Sequence, residues 1–420
     1  MNKPSVTEGI GFINYAWPEL RLRVIAERYT DDGYAELSFY SVKGSNESLL
    51  HTTRVNLLAT TTMNSLAKRL EKNSQDIPWT DILTYITGKT MEIARRGEPA
   101  VPIGKKPESM KVEYQLSPIL EKGHPTTIYS PGGYAKSYLA AYIACLVQFN
   151  IVGIADSHSC LMPTAGNVLY LDWEASQADH ERRLWAIKQG LGINNEDTLL
   201  YRFCHQPLAN DIHNVQRLVA DHVIDLVIID SQIAAEGYGP NPSQVSSQYY
   251  NALRSLRCTT LTLDHVSKSE WKGSGDSDSL GPYGSVVKFN RSRSQFELKK
   301  SQAAGDDYLE LALVHRKHNE GKLLKPTGIR IEFNQDTEGQ LESVTFTACD
   351  VGDNPELSKV QTLRDRLIGI LKSGPRTVKE LAEKLDKSEG TIRMELNRKA
   401  NKGVYAKRGD QWGLLDTRHE

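Results

Sequence analysis

Short apolar runs alternate with amphipathic stretches over residues 116–350. The runs are rich in β-branched residues and include "TTIYS", "NVLYLDW", "DLVIIDS" and "TTLTLDH". The stretches between them, such as "KSYLAAYIACLVQ" and "IHNVQRLVADHV", repeat apolar residues at helical spacing. Buried β-branched strands joined by crossover helices are typical of a mainly parallel sheet that helices cover on both faces. The pattern therefore predicts an α/β domain over residues 116–350.

The first part of the chain has a different pattern. "LRLRVIAERYTDDGYAELSFYSV" predicts two strands joined by a turn at Asp31-Asp32-Gly33. "TTMNSLAKRLEKN" and "WTDILTYITGKTMEIARRG" then repeat apolar residues at helical spacing. We interpret residues 1–110 as a small α/β domain of unknown role, which ends in a linker rich in proline, glycine and charge.

Residues 358–420 form a third predicted unit. "TLRDRLIGILK", "TVKELAEKL" and "TIRMELNRKANKG" predict three helices, and Thr377 with Glu380 has the spacing of a capping box. "VYAKRGDQWGLL" predicts two short strands joined by a turn. Three helices followed by a hairpin resemble the winged helix-turn-helix family over nearly all of this unit. The resemblance implies a helix in a DNA major groove and a wing on the backbone.

Composition and charge narrow the class of protein. The chain has 420 residues, of which 39% are hydrophobic and 25% charged, and its net charge is -1. No apolar run reaches the ~18 residues of a membrane span, so we expect no membrane association. The five cysteines show no CxxC pair, and the N-terminus lacks the apolar run of a secretory signal, which together favour a cytoplasmic location. Residues 359–420 contain 15 lysines and arginines against 9 aspartates and glutamates, which suggests a nucleic-acid contact there.

The segment "SPGGYAKS", residues 130–137, has the form of a phosphate-binding loop between a strand and a helix. Such a loop turns backbone N–H groups toward phosphate at the positive end of a helix. Ser130 and Ala135 replace the two glycines of the G-x-x-x-x-G-K-[ST] pattern, and an alanine is tolerated at that position if its φ is negative. The predicted ATP-binding residues are Pro131, Gly132, Gly133, Tyr134, Ala135, Lys136, Ser137 and Tyr138.

Carboxylates follow two of the predicted strands. In "NVLYLDWEAS" we expect Glu174 to act as the base that activates water, with Asp172 as the alternative, since one of the two can simply cap a helix. In "IDLVIIDSQ" the strand ends at Asp230, the pattern of a Walker B strand. We therefore predict Ser137 and Asp230 as the Mg²⁺ ligands.

Two further strands end in polar groups. His265 ends the run "TTLTLDH" and is a candidate sensor of the γ-phosphate, although a structural histidine is the alternative. "LALVHRKHNEG" carries Arg316 and Lys317, which we expect to reach the γ-phosphate on a neighbouring subunit. The alternative for this strand is a solvated basic edge.

In this order, the motifs over about 116–335 resemble the RecA-like superfamily, and most closely the RepA/DnaB-type hexameric helicase branch, often labelled AAA family ATPase. The resemblance implies that Lys136 and Ser137 hold ATP and Mg²⁺. It implies a homo-oligomer, with a hexamer as the expected form, in which Arg291, Arg293, Arg316 or Lys317 acts on a neighbour. The stretches 232–248 and 267–283 would face a DNA channel.

The predicted DNA contacts lie in that channel and in the C-terminal unit. Those of the C-terminal unit would neutralise phosphates, and Arg393 with Asn397 would read bases. A protein-docking role for this unit is the alternative. The predicted nucleic-acid-binding residues are Lys268, Lys272, Arg393, Arg398, Lys399, Lys402, Lys407 and Arg408.

The predicted function is that of a DNA-associated, oligomeric ATPase. Such an enzyme would unwind or remodel DNA during replication or recombination of a mobile element. Two alternatives stay open from the sequence. One is a DNA-binding regulator that does not hydrolyse ATP, and the other is a RecA-like recombination mediator that forms a filament rather than a ring.

Overall fold

The computed structural model describes residues 2–72, 74, 76–97, 100–106, 109–155, 160–266, 286–398 and 401–415. The chain divides into two compact units. The first unit comprises Met1–Val112, Gln206–Asp225 and Gln248–Cys258. The second comprises Glu113–His205, Leu226–Ser247 and Thr259–Glu420. The domain ranges 1–110, 116–350 and 358–420 stay a prediction.

The elements are numbered in chain order. The strands are β1 (Ser5–Gly9), β2 (Phe12–Trp17), β3 (Leu22–Glu27), β4 (Tyr34–Lys43), β5 (Asn46–Asn56), β6 (Tyr114–Ser117), β7 (Leu120–Glu121), β8 (Pro125–Ser130), β9 (Met162–Pro163), β10 (Asn167–Asp172), β11 (Leu200–Phe203), β12 (Ile224–Asp230), β13 (Thr259–His265), β14 (Ser294–Ser301), β15 (Tyr308–His318), β16 (Thr327–Gln335), β17 (Leu341–Cys349), β18 (Arg376–Thr377), β19 (Tyr405–Arg408) and β20 (Gln411–Leu414). The α-helices are α1 (Thr60–Glu71), α2 (Trp79–Arg96), α3 (Lys136–Gln148), α4 (Gln177–Leu191), α5 (Leu208–Asp221), α6 (Gln232–Glu236), α7 (Pro242–Ser255), α8 (Val286–Arg291), α9 (Leu363–Lys372), α10 (Val378–Leu385) and α11 (Glu389–Leu396).

The first unit is built on the antiparallel sheet β1-β2-β3-β4-β5, in which each strand pairs with the next. The turn predicted at Asp31-Asp32-Gly33 joins β3 to β4, and Gly33 has a positive φ of 100°. Alternate residues of β2, namely Ile13, Tyr15 and Trp17, are fully buried in one core with side chains of α1 and α2. The small α/β arrangement predicted for the N-terminal part is therefore present.

The large sheet of the second unit has the order β11-β10-β12-β13-β8-β14-β15-β16-β17. Parallel pairing joins β10 to β11, β12 to β13, β13 to β8 and β8 to β14. Antiparallel pairing joins β14 to β15, β15 to β16 and β16 to β17. The mainly parallel α/β fold predicted from the apolar runs is confirmed.

The centre of this sheet is buried on both faces. Every residue of β8 is buried, as is every residue of β13 except His265. Helix α3 packs against β8, β10 and β13 and buries most of its own surface. Strands covered on both faces need continuous apolar runs rather than alternation, which explains the composition of "TTIYS" and "TTLTLDH".

The antiparallel strands of this sheet also pack on α3 and α4. Tyr142 of α3 stacks on Phe346 of β17 with ring centroids 4.0 Å apart. Helix α4 approaches β17 so closely that a Cβ built on Gly190 would lie 2.0 Å from the carbonyl oxygen of Val344. A glycine is therefore required at this contact, because a backbone oxygen cannot move away as a flexible side chain can.

The C-terminal segment contains α9, α10 and α11 with the small sheet β18-β20-β19. The predicted capping box is present, because the Thr377 hydroxyl accepts the N–H of Glu380 and the Glu380 carboxylate accepts the N–H of Thr377. The third helix starts earlier than predicted, at Glu389, because the Ser388 hydroxyl accepts the N–H of Thr391. It ends at Leu396. No helix among the described residues is long and apolar enough to cross a membrane.

The contact at Gly190 gives a test of the packing of α4 on β17. We expect Gly190→Ala to lower the free energy of unfolding by about 1–3 kcal/mol, because the added methyl group overlaps a backbone carbonyl. Urea denaturation followed by circular dichroism measures the change. Gly88→Ala is the matched control, since this glycine also lies within a helix and its Cβ would have nothing within 4 Å. The control should gain roughly 0.5–1 kcal/mol, and equal stability losses in the two variants would contradict the packing argument.

Candidate nucleotide site

The loop of residues 130–137 connects β8 to α3 at the carboxyl ends of the parallel strands. In the sheet, β13 lies beside β8, with β12 and β10 next in order. The strands that end in Asp172, Asp230 and His265 are therefore neighbours. Ligands of open α/β sheets bind at such an edge, where the loops after the strands meet.

The loop backbone takes left-handed conformations at two positions. Gly133 has a φ of 77° and Ala135, directly before α3, has a φ of 55°. The condition under which an alanine is tolerated here, a negative φ, is therefore not met. A left-handed conformation costs a non-glycine residue roughly 1–2 kcal/mol, so the alanine strains the loop at the position where the pattern has glycine. A Cβ built on Gly132 or Gly133 would meet nothing within 4 Å, so steric crowding does not explain those two glycines.

Lys136 is folded back onto its own loop. Its Nζ donates to the carbonyl oxygens of Ser130 and Pro131, each at 3.0 Å, and to the Ser130 hydroxyl at 3.1 Å. The side chain is only 7% exposed. Burial lowers the pKa of Lys136 to about 8, against the opposing effect of the carboxylates of Asp230, Asp264 and Glu174. The ammonium group is thus desolvated and held by weak neutral acceptors that an anion can replace.

Ser137, in the first turn of α3, lies close to Asp230 at the end of β12. The Tyr170 hydroxyl donates to the Asp230 carboxylate at 2.9 Å, and the Ser137 hydroxyl lies near enough to that carboxylate to affect its pKa. Burial raises the pKa of Asp230, and the two hydroxyl groups oppose that shift. A carboxylate and a hydroxyl are hard oxygen donors, which suit a magnesium ion.

Asp172 is occupied by structural contacts. Its carboxylate accepts the N–H of Glu174 at 3.0 Å and the N–H of Ala175 at 3.1 Å. It also accepts the Tyr201 hydroxyl at 3.0 Å and lies 3.1 Å from Nε2 of His180. Burial raises the pKa of Asp172, but these hydrogen bonds outweigh burial and lower it overall. The side chain thus fixes the turn after β10. It does not cap α4, because the N-cap of that helix is Ser176.

Glu174 faces solvent at the same edge. The Ser231 hydroxyl donates to its Oε1 atom, and Nε2 of His265 lies 3.8 Å from that atom. The interaction with His265 is the main reason that the pKa of Glu174 is lowered, while burial opposes it. Nδ1 of His265 lies 3.5 Å from Nζ of Lys136. The imidazole therefore stands between the loop lysine and the glutamate.

Four basic residues were predicted to act on a neighbouring subunit. In the structure each of them has a partner within its own chain. Arg316 forms an ion pair with the buried Glu297 at 2.6 Å. Lys317 donates to the carbonyl oxygens of Phe289 and Ser292, each at 2.5 Å, which caps the end of α8. Arg293 pairs with Glu320 at 2.9 Å. Arg291 also has an interaction within the chain.

The remaining residues of the predicted ATP-binding set serve packing. Tyr138 contacts Phe333 edge to face at 5.2 Å, and the guanidinium of Arg183 lies 5.0 Å from the centre of the Tyr138 ring. Tyr134 packs on the main core of the unit. The two tyrosines anchor the loop and the first turn of α3.

Several residues at this site could not be predicted from the sequence. Lys300 of β14 donates to the carbonyl oxygen of Gly133 at 3.1 Å, and Tyr170 and Ser231 hold the two acidic side chains. The double lysine at the end of "SQFELKK" is visible in the sequence. Nothing in its position shows that β14 pairs with β8.

The predicted DNA contacts fall on an exposed part of the C-terminal segment. Lys402, Lys407 and Arg408 are exposed. Arg393 and Arg398 are also exposed, but each pairs with a glutamate of its own segment. Asn397 donates from its side chain to the carbonyl oxygen of Arg393. Three predicted contacts lie outside the described residues, namely Lys268, Lys272 and Lys399.

Comparison with known proteins gives one family match over part of the chain. Residues 99–270 match the family model of the AAA domain, a range that includes the loop, Glu174, Asp230 and His265. No curated protein matches the chain.

Two solved structures show similarity at low identity. The chain is similar to a KaiC-like protein from the hyperthermophilic archaeon Pyrococcus horikoshii OT3, with 12% identity and a TM-score of 0.36 over 54% of this chain and 93% of that one. It is similar to the ATPase domain of a second protein with 13% identity and a TM-score of 0.37, over 50% of this chain and 81% of that one.

The left-handed conformation of Ala135 gives a test of the loop geometry. We expect Ala135→Gly to raise the free energy of unfolding by about 1 kcal/mol, because glycine adopts this conformation without steric conflict. Urea denaturation measures the change. The matched control is Ala140→Gly, since Ala140 lies within α3 and is fully buried. The control should lose stability, and a loss of similar size in Ala135→Gly would show that the loop residue is not strained.

Proposed function

We propose that this protein binds ATP at the loop of residues 130–137 and hydrolyses it as part of a DNA-associated oligomer. The observation that carries the proposal is the meeting of five side chains at one edge of the parallel sheet. They come from the loop and from the ends of three neighbouring strands, and they are Lys136, Ser137, Glu174, Asp230 and His265. The match of residues 99–270 to the AAA domain supports an ATPase.

The loop is suited to an anionic ligand. Backbone N–H groups at the N-terminus of α3 lie at the positive end of the helix dipole. Lys136 would exchange the carbonyl oxygens of Ser130 and Pro131 for phosphate oxygens. Since burial disfavours its charged form, a nearby anion restores that form and gains a strong charge-assisted hydrogen bond.

Ser137 and Asp230 fit a magnesium ion. The Ser137 hydroxyl lies near enough to the Asp230 carboxylate to affect its pKa. Tyr170 holds the Asp230 carboxylate in place from the core side. When bound there, the ion would neutralise charge that develops on the phosphate groups.

Glu174 is placed to act as the base. Its lowered pKa keeps it ionised near neutral pH, and its side chain is 47% exposed, so water reaches it. Ser231 and His265 both contact the Oε1 atom. Oε2 has no hydrogen-bond partner among the described residues and can accept a proton from the attacking water.

His265 would report the state of the nucleotide. It lies between the lysine that grips phosphate and the glutamate that activates water. When Lys136 moves to a phosphate oxygen, the contact of its Nζ with Nδ1 of His265 changes. A sensor needs such a position, because it must respond to the γ-phosphate and act on another group.

The proposal also includes DNA binding and the formation of an oligomer. The basic balance of residues 359–420 and the exposed Lys402, Lys407 and Arg408 support DNA contact. In the stretch 232–248, Tyr238 is 93% exposed, and an exposed aromatic ring can stack on a nucleobase. We propose a hexamer that unwinds or remodels DNA, in which Arg291, Arg293, Arg316 or Lys317 exchanges its partner for a neighbour's phosphate.

ATP turnover with two site variants tests the core of the proposal. We expect Lys136→Ala to lose ATP binding, because the ammonium contact with phosphate is removed. We expect Glu174→Gln to keep ATP binding but to lower kcat by about 100-fold or more, since an amide cannot accept the proton. Steady-state ATPase assays and binding of a fluorescent ATP analogue measure the two effects.

The control for these variants is Glu181→Gln, because Glu181 is an exposed glutamate on α4 of the same unit. It should turn over ATP at the wild-type rate. Turnover that is absent in the wild-type protein, or unchanged in Glu174→Gln, would contradict the proposed role of the site.

The salt dependence of DNA binding tests the role of the C-terminal segment. We expect the double variant Lys407→Ala and Arg408→Ala to weaken DNA binding and to reduce the slope of log K against log[salt] by about 1 for each phosphate group that is no longer neutralised. Fluorescence anisotropy with labelled DNA at several salt concentrations measures both. The matched control is Lys68→Ala with Arg69→Ala, an exposed basic pair on α1. Equal slopes for the two double variants would remove Lys407 and Arg408 from the DNA contact.

A further inference from the structure

Lys288 is a buried charged residue that takes no part in the site described above. It lies on α8, its side chain is 3% exposed, and its Nζ is 3.2 Å from Oε2 of Glu236 and 3.2 Å from Oδ2 of Asp264. Asp264 is fully buried. One ammonium group thus joins two carboxylates from α6 and β13 inside the second unit.

Each of these carboxylates belongs to a segment that carries a partner of Glu174. Asp264 directly precedes His265 and accepts its backbone N–H at 2.9 Å. Glu236 ends α6, the helix that begins directly after Ser231. Within the described part of the chain, Ser231 and His265 contact Oε1 of Glu174. The segments that carry Ser231 and His265 are therefore both held by an ion pair with Lys288.

Further hydrogen bonds fix this arrangement. The side chain of Gln232 donates to Oε1 of Glu236 at 2.7 Å, which ties the first residue of α6 to the last. The buried side chain of Gln295 donates to the carbonyl oxygen of Lys288 at 3.2 Å, which ties α8 to β14. Hydrogen bonds to β14 and within α6 thus fix the backbone of Lys288 and the side chain of Glu236.

We propose that Lys288 is a positioning residue for the glutamate base, which it orients without contact by holding the segments of Ser231 and His265 together. The proposal rests on the ATPase function proposed above. Without the ammonium group, the carboxylates of Glu236 and Asp264 would face each other in a buried space and repel. Such a repulsion would move α6 away from the end of β13, or it would raise the pKa of one carboxyl group until that group binds a proton.

The consequence for Glu174 follows from its remaining contacts. Ser231 and His265 would no longer contact the same oxygen atom, Oε1 of Glu174. The Glu174 carboxylate would then lose its present orientation. Lys136 and Asp230, the other charged groups near Glu174, do not contact Lys288. Lys136 would still be held by Ser130 and Pro131, so we expect the affinity for ATP to change much less than kcat.

The test is a comparison of two buried-lysine variants in the full-length protein. Lys288→Met removes the ammonium group at nearly equal volume. Lys188→Met is the matched control, because Lys188 is 5% exposed in the same unit and donates to the carbonyl oxygen of Asn195, away from Glu174. For each variant we would measure the melting temperature, the affinity for a fluorescent ATP analogue, kcat, and the crystal structure around Glu174.

We expect Lys288→Met to lower kcat by about 100-fold, as a misplaced catalytic group does, with a much smaller change in the affinity for the ATP analogue. The crystal structure should show Glu174 displaced from Ser231 or His265. Lys188→Met should lose stability but retain kcat at temperatures well below its melting point. Equal kcat values in the two variants, or an unmoved Glu174 in Lys288→Met, would overturn the proposal.

A second variant keeps the test informative if Lys288→Met does not fold. Glu236→Gln removes one carboxylate and leaves the pair of Lys288 with Asp264, so the fold has no unpaired buried charge. We expect it to loosen only the α6 segment and to lower kcat by a smaller factor, with unchanged analogue binding. Wild-type kcat in a folded Glu236→Gln protein, with Ser231 still on Glu174, would count against the role of Lys288.

Failure of the proposed ATPase function can be told apart from failure of this inference. Absence of turnover in the wild-type protein concerns the ATPase function alone. The crystal structures of the variants still show whether Glu174 depends on Lys288, because that measurement needs no turnover.

Discussion

The register between β8 and β13 is the constraint on which the rest of the site depends. In this parallel pair, His265 lies opposite Ser130, the first residue of the loop. On the other side of β13, Leu263 lies opposite Asp230. A shift of one residue would turn every side chain of the strand to the other face of the sheet. Close packing of both strands holds this register, since β8 and β13 are buried over nearly their whole length and a slip would put side chains of the wrong size at each contact.

Around this edge the unit buries more charge than a stable core requires. Lys136, Asp230, Asp264 and Lys288 are all less than a tenth exposed, and isolated charges in such surroundings are unfavourable. Burial raises the pKa of Asp264 to about 6, against the opposing effect of Lys288. Structural cores rarely keep so many buried ionisable groups, whereas sites for charged ligands do. Lys136 and Asp230 are suited to an anion and a cation, while Lys288 and Asp264 compensate each other.

The departures from the phosphate-loop pattern have different physical meanings. Ser130 ends β8 in a fully buried position, and its carbonyl and hydroxyl oxygens hold Lys136, so it supports the loop. Ala135 takes a left-handed backbone conformation that suits glycine better. The alanine therefore costs the loop some stability. Firm packing of α3, through contacts such as Tyr142 on Phe346, is what maintains a strained residue directly before the helix.

Local signals in the sequence determined the strands of the parallel sheet, the loop before α3, the turn after β3 and the capping box at Thr377. These signals work because periodicity, turn residues and caps act over a few neighbouring positions. Only the tertiary structure decided that Asp172 fixes a turn while Glu174 faces solvent, that Lys300 reaches the loop, and that Glu297 holds Arg316. It also decided that Gln206–Asp225 and Gln248–Cys258 belong to the same compact unit as Met1–Val112. Such contacts join residues far apart in the chain, and their partners depend on strand order and packing, which no local pattern specifies.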